Sequence, residues 1–296
     1  MARIPTIRAY AGHGALVVRE GLSICFYLRR AHGEVAPAVA RSLETYLRAV
    51  GPQALAWYPD EHGEWWELDT SGWDVIRRKL LDEHWKGSRN IDLCERPDAA
   101  RGYQFEYCGK ALEPFHPGAV SAVSFWLPTE YLEKHGPGHV RELALELAAP
   151  LPFCSGHAGL AFNRLGTPPA LHPLRFRYPG IDVSALTWVS WNIGTRVRGP
   201  HWLTFLGQPV LGELGGAAGL RSRLASPDIS VQELEGGRAV ITLGDWPEAG
   251  DTEQGRDLPL HRELARVLEP WLYQEPPSRD PIAEEDMRRW ERRFLD

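Results

Sequence analysis

Cysteine is scarce, and no two of the four cysteines form a C-x-x-C pair. Cys25, Cys94, Cys108 and Cys154 match no zinc ribbon or finger. Three sit in apolar or aromatic surroundings, where a thiol behaves as a small hydrophobe. The expectation is free thiols in a reducing compartment. No apolar run reaches the length of a membrane span. The first ten residues, Met-Ala-Arg-Ile-Pro-Thr-Ile-Arg-Ala-Tyr, have no apolar secretory core, so a cytoplasmic location is expected. The H-E-x-x-H, P-loop and G-x-G-x-x-G motifs are missing. An excess of cations is missing too: the net charge is −6. That balance disfavours a general nucleic-acid binder. The eleven histidines are scattered, and none is read as part of a metal pair at helical spacing. No metal and no cofactor is expected.

What is present fits a globular chain. Of 296 residues, 43% are hydrophobic and 24% charged, enough for one large domain or two lobes. Twelve tryptophans are many. Most belong in a core, though Trp also anchors interfaces.

The most informative stretch is Pro150 to Asn163. Phe153 and Cys154 precede a nearly bare middle, Ser155-Gly-His-Ala-Gly159, and Leu160 and Phe162 follow. Glycine inside an apolar run marks a bulge or a close approach of another backbone. The reading is a central strand with a flat patch on which a helix rests.

Around it, Leu22–Leu28 reads as a buried strand and 35–50 as a helix with Val39, Leu43 and Tyr46 inward. Strands at 54–58 and 64–68 flank the turn Asp60-Glu-His-Gly63. Thr70 or Ser71 is expected to cap a helix reaching Trp85. Strands follow at 103–108 and 120–127. A helical region then opens at Pro128, breaks at Gly136-Pro-Gly138 and continues over 139–149. The prolines of 166–180 mark a lobe boundary or a one-turn helix. Residues 187–197 read as a strand, and 200–206, 208–214 and 217–224 as short helices. The runs 229–234 and 239–243 form a hairpin. Helices over 258–273 and 280–295 close the chain. The second, with Trp290 and Phe294 four apart on one face, needs a docking site.

This mixture predicts an α+β fold of largely antiparallel sheets packed by helices, in two closely associated lobes. The expected divisions are an N-terminal lobe 1–165, a C-terminal lobe 166–273, and a linker with a terminal helix, 274–296.

Cys154, Ser155 and His157 invite a hydrolase reading. On a strand, Ser155 and His157 share a face but lie roughly 7 Å apart at Cα, long for a direct hydrogen bond. Phe153 also occupies the first glycine position of a G-x-S-x-G elbow. The plainer reading is two polar side chains in a packed sheet. The loop 244–257 holds Asp245, Glu248, Asp251, Glu253 and Asp257 against Arg256 alone. Its spacing does not follow a calcium loop. It reads either as a solvated turn or as an interaction surface, with Trp246 an anchor inside an acidic rim. Asp245, Trp246, Glu248, Asp251 and Glu253 are therefore the candidate partner-binding residues. For Trp65-Trp66, core positions are expected for both.

With those residues set out, the chain resembles the type VI secretion immunity family. The likeness rests on Phe153-Cys-Ser-Gly-His-Ala-Gly-Leu-Ala-Phe-Asn163, Arg177-Tyr-Pro-Gly-Ile-Asp182, Trp202-Leu-Thr-Phe-Leu-Gly207, Leu214-Gly-Gly216 and Leu243-Gly-Asp-Trp-Pro-Glu-Ala-Gly-Asp251. It spans most of residues 14–273 and leaves out 274–296. The resemblance implies a cytoplasmic antidote without catalytic residues. Such a protein binds and neutralises a cognate toxin, here a DNA-degrading nuclease, by occluding its active cleft. It implies no direct contact with nucleic acid or membrane. A hydrolase using Ser155 and His157, and a small-molecule-binding regulator with a Trp-lined pocket, are the alternatives the residues leave open.

Overall fold

The computed structural model describes residues 4–82, 87–183, 185–276 and 281–296. Its strands are β1 (Arg8–Tyr10), β2 (Leu16–Leu28), β3 (Trp57–Pro59), β4 (Trp65–Glu67), β5 (Arg89–Cys94), β6 (Gln104–Gly109), β7 (Ser121–Pro128), β8 (Ser155–Arg164), β9 (Leu203–Leu206), β10 (Ile229–Leu234) and β11 (Arg238–Leu243). All join one sheet in the order β10-β11-β9-β8-β2-β7-β6-β5-β3-β4, with β1 added beside β2. The helices are α1 (His32–Val50), α2 (Thr70–Leu81), α3 (Thr129–Ala148), α4 (Leu171–Arg177), α5 (Leu186–Asn192), α6 (Val210–Glu213), α7 (Gly216–Arg221), α8 (Pro259–Leu268) and α9 (Pro281–Glu291). The fold is α+β, and its sheet is antiparallel throughout the named strands.

β2 is the spine. It pairs with β7 on one side and β8 on the other, and every residue from Leu22 to Leu28 is buried. A strand covered on both faces needs apolar residues at successive positions, which is why this run shows no alternation.

β8 explains its own small residues. Phe26 of β2 and Phe205 of β9 both lie opposite Gly156. Their rings meet across it edge-on, with centroids 5.1 Å apart. A Cβ on Gly156 would stand 2.6 Å from Phe26 Cδ1 and 2.7 Å from the Cys25 carbonyl. Ala158 and Leu160 join the same large core, which also takes Val39 and Leu43 of α1 and Leu143 and Leu147 of α3. On the opposite face of β8, Ser155, His157 and Gly159 meet the irregular chain before β9. A Cβ on Gly159 would touch His201 at 3.5 Å.

A second cluster joins Leu206 and Ile241 of the sheet to Val210, Leu220, Leu264 and Leu268. The sheet itself runs without a break past residue 165. At its far edge, Arg221 donates from Nε and Nη2 to the Val231 carbonyl of β10, at 3.1 and 2.8 Å.

Several expectations change. Residues 187–197 are not a strand: Leu186, Val189, Ser190 and Ile193 are buried at helical spacing, and α5 forms. Residues 200–206 are not a helix: Leu203–Leu206 are all buried and fill the sheet between β8 and β11 as β9. β5 is not legible in the sequence, because Arg89, Asn90 and Asp92 dilute its apolar alternation. Asp69, rather than Thr70 or Ser71, caps α2 by accepting from Gly72 N at 2.8 Å. The expected extension to Trp85 falls on 83–86, outside the described residues, as does Asp280, the expected cap of the terminal helix.

The terminal helix does dock. Trp290 and Phe294 are each 2% exposed. The Arg293 guanidinium lies 3.8 Å from the Trp290 ring centroid, and its Nε donates to the Pro179 carbonyl at 2.9 Å.

Candidate functional site

Arg177-Tyr-Pro-Gly-Ile-Asp182 is a brace, and each end of it holds something. Arg177 meets Asp251 at 3.2 Å and Glu253 at 2.6 Å. Gly180 N donates to the Ala249 carbonyl at 2.8 Å. A Cβ on Gly180 would fall 2.1 Å from the Glu248 carbonyl, so only glycine lets the two backbones meet. Asp182 forms an isolated parallel bridge to Ala161 of β8.

This brace sorts the acidic loop. Asp251 is 4% exposed, pairs with Arg177 and accepts from Glu253 N. Its work is internal. Trp246 is half-buried and packs on the large core. Asp245, Glu248 and Glu253 are exposed. Asp245, Trp246 and Glu248 line an open depression with Arg141, Trp202 and Arg256. Four of the five residues proposed from sequence are therefore at least partly accessible on one loop, and the fifth holds that loop in place.

The two early tryptophans are not core. Trp66 is 56% exposed, and its Nε1 reaches Asp60 at 3.2 Å. Trp65 is half-buried beneath the Arg101 guanidinium, 4.7 Å from the ring centroid. The reason is position: β4 is a three-residue edge strand, and among the described residues a partner strand lies on one side of it only. Nearby, Glu106 of β6 stands opposite Ser124 and accepts from Ser124 Oγ and Trp126 Nε1. Burial, and then the Asp92 carboxylate, push its carboxyl up to about 7.

Ser155 and His157 do not form a nucleophile–base pair. Ser155 Oγ donates to the Arg196 carbonyl at 2.8 Å. His157 instead stacks on His201, with ring centroids 4.0 Å apart and planes 16° off parallel. Neither His157 nitrogen has a hydrogen-bond partner among the described residues.

The structure brings three residues together here that no spacing links. His157, Asp182 and His201 are all buried, and one donor atom from each lies within 4.8 Å of the others. His201 Nδ1 bonds the Gly199 carbonyl at 3.0 Å, which turns Nε2 toward Asp182 Oδ2, 3.6 Å away. Arg198 and Arg293 approach the other oxygen, Oδ1, at 3.6 and 3.9 Å. Burial alone would raise the Asp182 carboxyl. Arg198, then His201 and Arg293, outweigh it and hold the group well below the carboxylate range. Burial, reinforced by His201, pushes the His157 imidazole well below its ordinary value, so it is neutral. Neither Asp182 nor His201 stands out in the sequence, and His157 draws attention there only beside Ser155. The only hint in the sequence was that all three fall inside or beside the segments that carried the resemblance. His135 and His139, read as unpaired, also stack, at 5.0 Å on α3.

Taken together, one long antiparallel sheet, helices packed against it and a braced acidic loop define an α+β protein. The chain belongs to the TsiV family, described as type VI immunity for VRR-NUC, whose model matches residues 38–294. Among solved structures it is similar to the T6SS protein PA0821 of Pseudomonas aeruginosa, at 20% identity and a TM-score of 0.81, over 98% of this chain and 87% of that one. Comparison with curated proteins gives no match. The family match takes in α9, which the resemblance left outside.

Proposed function

We propose that this chain is the antidote to a VRR-NUC nuclease, working in the cytoplasm by binding the toxin and covering its DNA-binding cleft. The family match over residues 38–294 carries this reading. The surface chemistry supports it. A nuclease cleft is basic because it neutralises phosphates, and this chain offers exposed carboxylates at Asp245, Glu248 and Glu253 beside the half-buried Trp246. The brace from Arg177 and Gly180 fixes that loop before the partner arrives, which lowers the ordering cost of association. Opposite charge also speeds capture, and salt slows it.

The test is reconstitution with the purified nuclease domain. An equimolar amount of the chain should abolish DNA cleavage, and a stable complex should elute on gel filtration. Full cleavage in the presence of excess chain would overturn the reading. Asp245→Lys with Glu248→Lys should slow association about tenfold or more at low salt. Unchanged kinetics would move the contact away from this loop and leave neutralisation itself intact.

A further inference from the structure

We propose that His157, Asp182 and His201 form a binding site for a divalent transition metal of the zinc class. Nothing in the nuclease-neutralising reading requires it.

The argument starts from distances. His201 Nε2 and Asp182 Oδ2 face each other at 3.6 Å. That is too long for a hydrogen bond. It is close to the roughly 3.4 Å that separates two ligands bound to one tetrahedral zinc at about 2.0–2.1 Å each. His201 is also oriented as metal-bound histidines are. Its Nδ1–H donates to the Gly199 carbonyl, which leaves Nε2 as the ring atom that faces Asp182. A proton or a metal ion on Nε2 would satisfy that facing pair, and at 3.6 Å a proton alone leaves it outside hydrogen-bond range.

His157 supplies the third donor. Buried polar atoms without partners are uncommon, and His157 has two, with Asp182 Oδ2 and His201 Nε2 beside them. The near-parallel stack of the two imidazoles sends their in-plane lone pairs side by side. One ion taking both requires His157 to turn about its Cβ–Cγ bond, and no hydrogen bond among the described residues resists that turn.

The neighbouring arginines do not occupy the position. Arg198 donates to the Val183 carbonyl, and Arg293 to the Pro179 and Trp290 carbonyls. Both approach Oδ1 of Asp182 and leave Oδ2 to the imidazoles. Their charge weakens the hold on a dication, and two neutral imidazoles with one carboxylate favour zinc over magnesium or calcium. The ion would pin β8, the Arg177–Asp182 brace and the chain entering β9 to one point, a structural rather than catalytic role.

The experiment uses the full chain with His135→Ala and His139→Ala, which removes the exposed histidine pair. Cobalt(II) should give the visible d–d bands of a tetrahedral site, and zinc should bleach them at one equivalent. Zinc at a hundredfold excess over its dissociation constant should raise Tm by roughly 5 °C. His157→Gln should abolish the cobalt bands and the zinc-dependent rise. If that variant fails to fold, Asp182→Asn gives the same comparison, and the unmutated triad still reports through its spectrum. No d–d bands with the triad intact, or a zinc response equal to that of His157→Gln, would overturn the site.

Discussion

Arg177 grips Asp251 at 3.2 Å across 74 residues of sequence, and the same guanidinium takes Glu253 at 2.6 Å. One side chain thereby fixes the conformation of a loop whose own charges repel. Removing it with Arg177→Ala should loosen residues 251–257 while the sheet stays intact. Hydrogen exchange would show faster amides in that segment and unchanged protection in β2 and β8. Equal protection of the loop in both proteins would mean that Gly180 and the backbone contacts suffice.

Gly156 is a packing position. A methyl group there would enter the space in which Phe26 meets Phe205. Gly156→Ala should therefore destabilise the fold by about 1–3 kcal/mol, the usual penalty for overfilling a close-packed core. A denaturant titration would register it as a lower midpoint with an unchanged slope.

The terminal helix contributes to the core rather than decorating it. Trp290 is 2% exposed, with Phe176 edge-on at 6.2 Å and Arg293 over its face. Trp290→Ala should cost about 3–5 kcal/mol. A denaturation midpoint within error of the parent would show that α9 can leave without consequence.

Glu106 makes stability depend on pH. Its folded carboxyl titrates near 7 instead of its ordinary 4.5. Between those values the folded chain holds a proton that the unfolded chain has released. Stability from this group is therefore lost as pH rises through that window, and the loss is complete above pH 7. Asp92 adds to the effect, while Trp126, Arg101 and Ser124 oppose it. Glu106→Gln keeps an acceptor oxygen for Ser124 and Trp126. It should stabilise the protein by about 1–3 kcal/mol at pH 8 and leave it unchanged at pH 4. Melting curves at the two pH values would check the sign.

The readable parts of the fold were those where local pattern and burial agree. Leu22–Leu28 is apolar at every position because both faces are covered, and 229–243 alternates around a glycine turn. The misread parts were those where tertiary placement overrode local preference. Thr187, Trp188, Val189 and Trp191 favour a strand by type, yet the buried set Leu186, Val189 and Ile193 is helical. Leu203–Leu206 is too short to reveal its period, and the gap between β8 and β11 decides its state. Of the site, the acidic loop was legible as a run of charges. The inward role of Asp251 was not, because its partner Arg177 lies far away in the chain. The grouping of His157, Asp182 and His201 depends on how β8, the brace and the entry to β9 cross, and linear spacing cannot encode that.

The hydrogen bonds from Arg221 to Val231 bear on how the molecule behaves when crowded. An outermost strand with free carbonyls is a template on which a second copy can zip. Here the outer carbonyl at the middle of β10 already holds two donors, and the opposite rim is only three residues long, preceded by Glu64 and ending in Glu67. Both rims are thus poor templates for a second copy of this chain, so the long sheet is blunted against growing edge to edge into fibres.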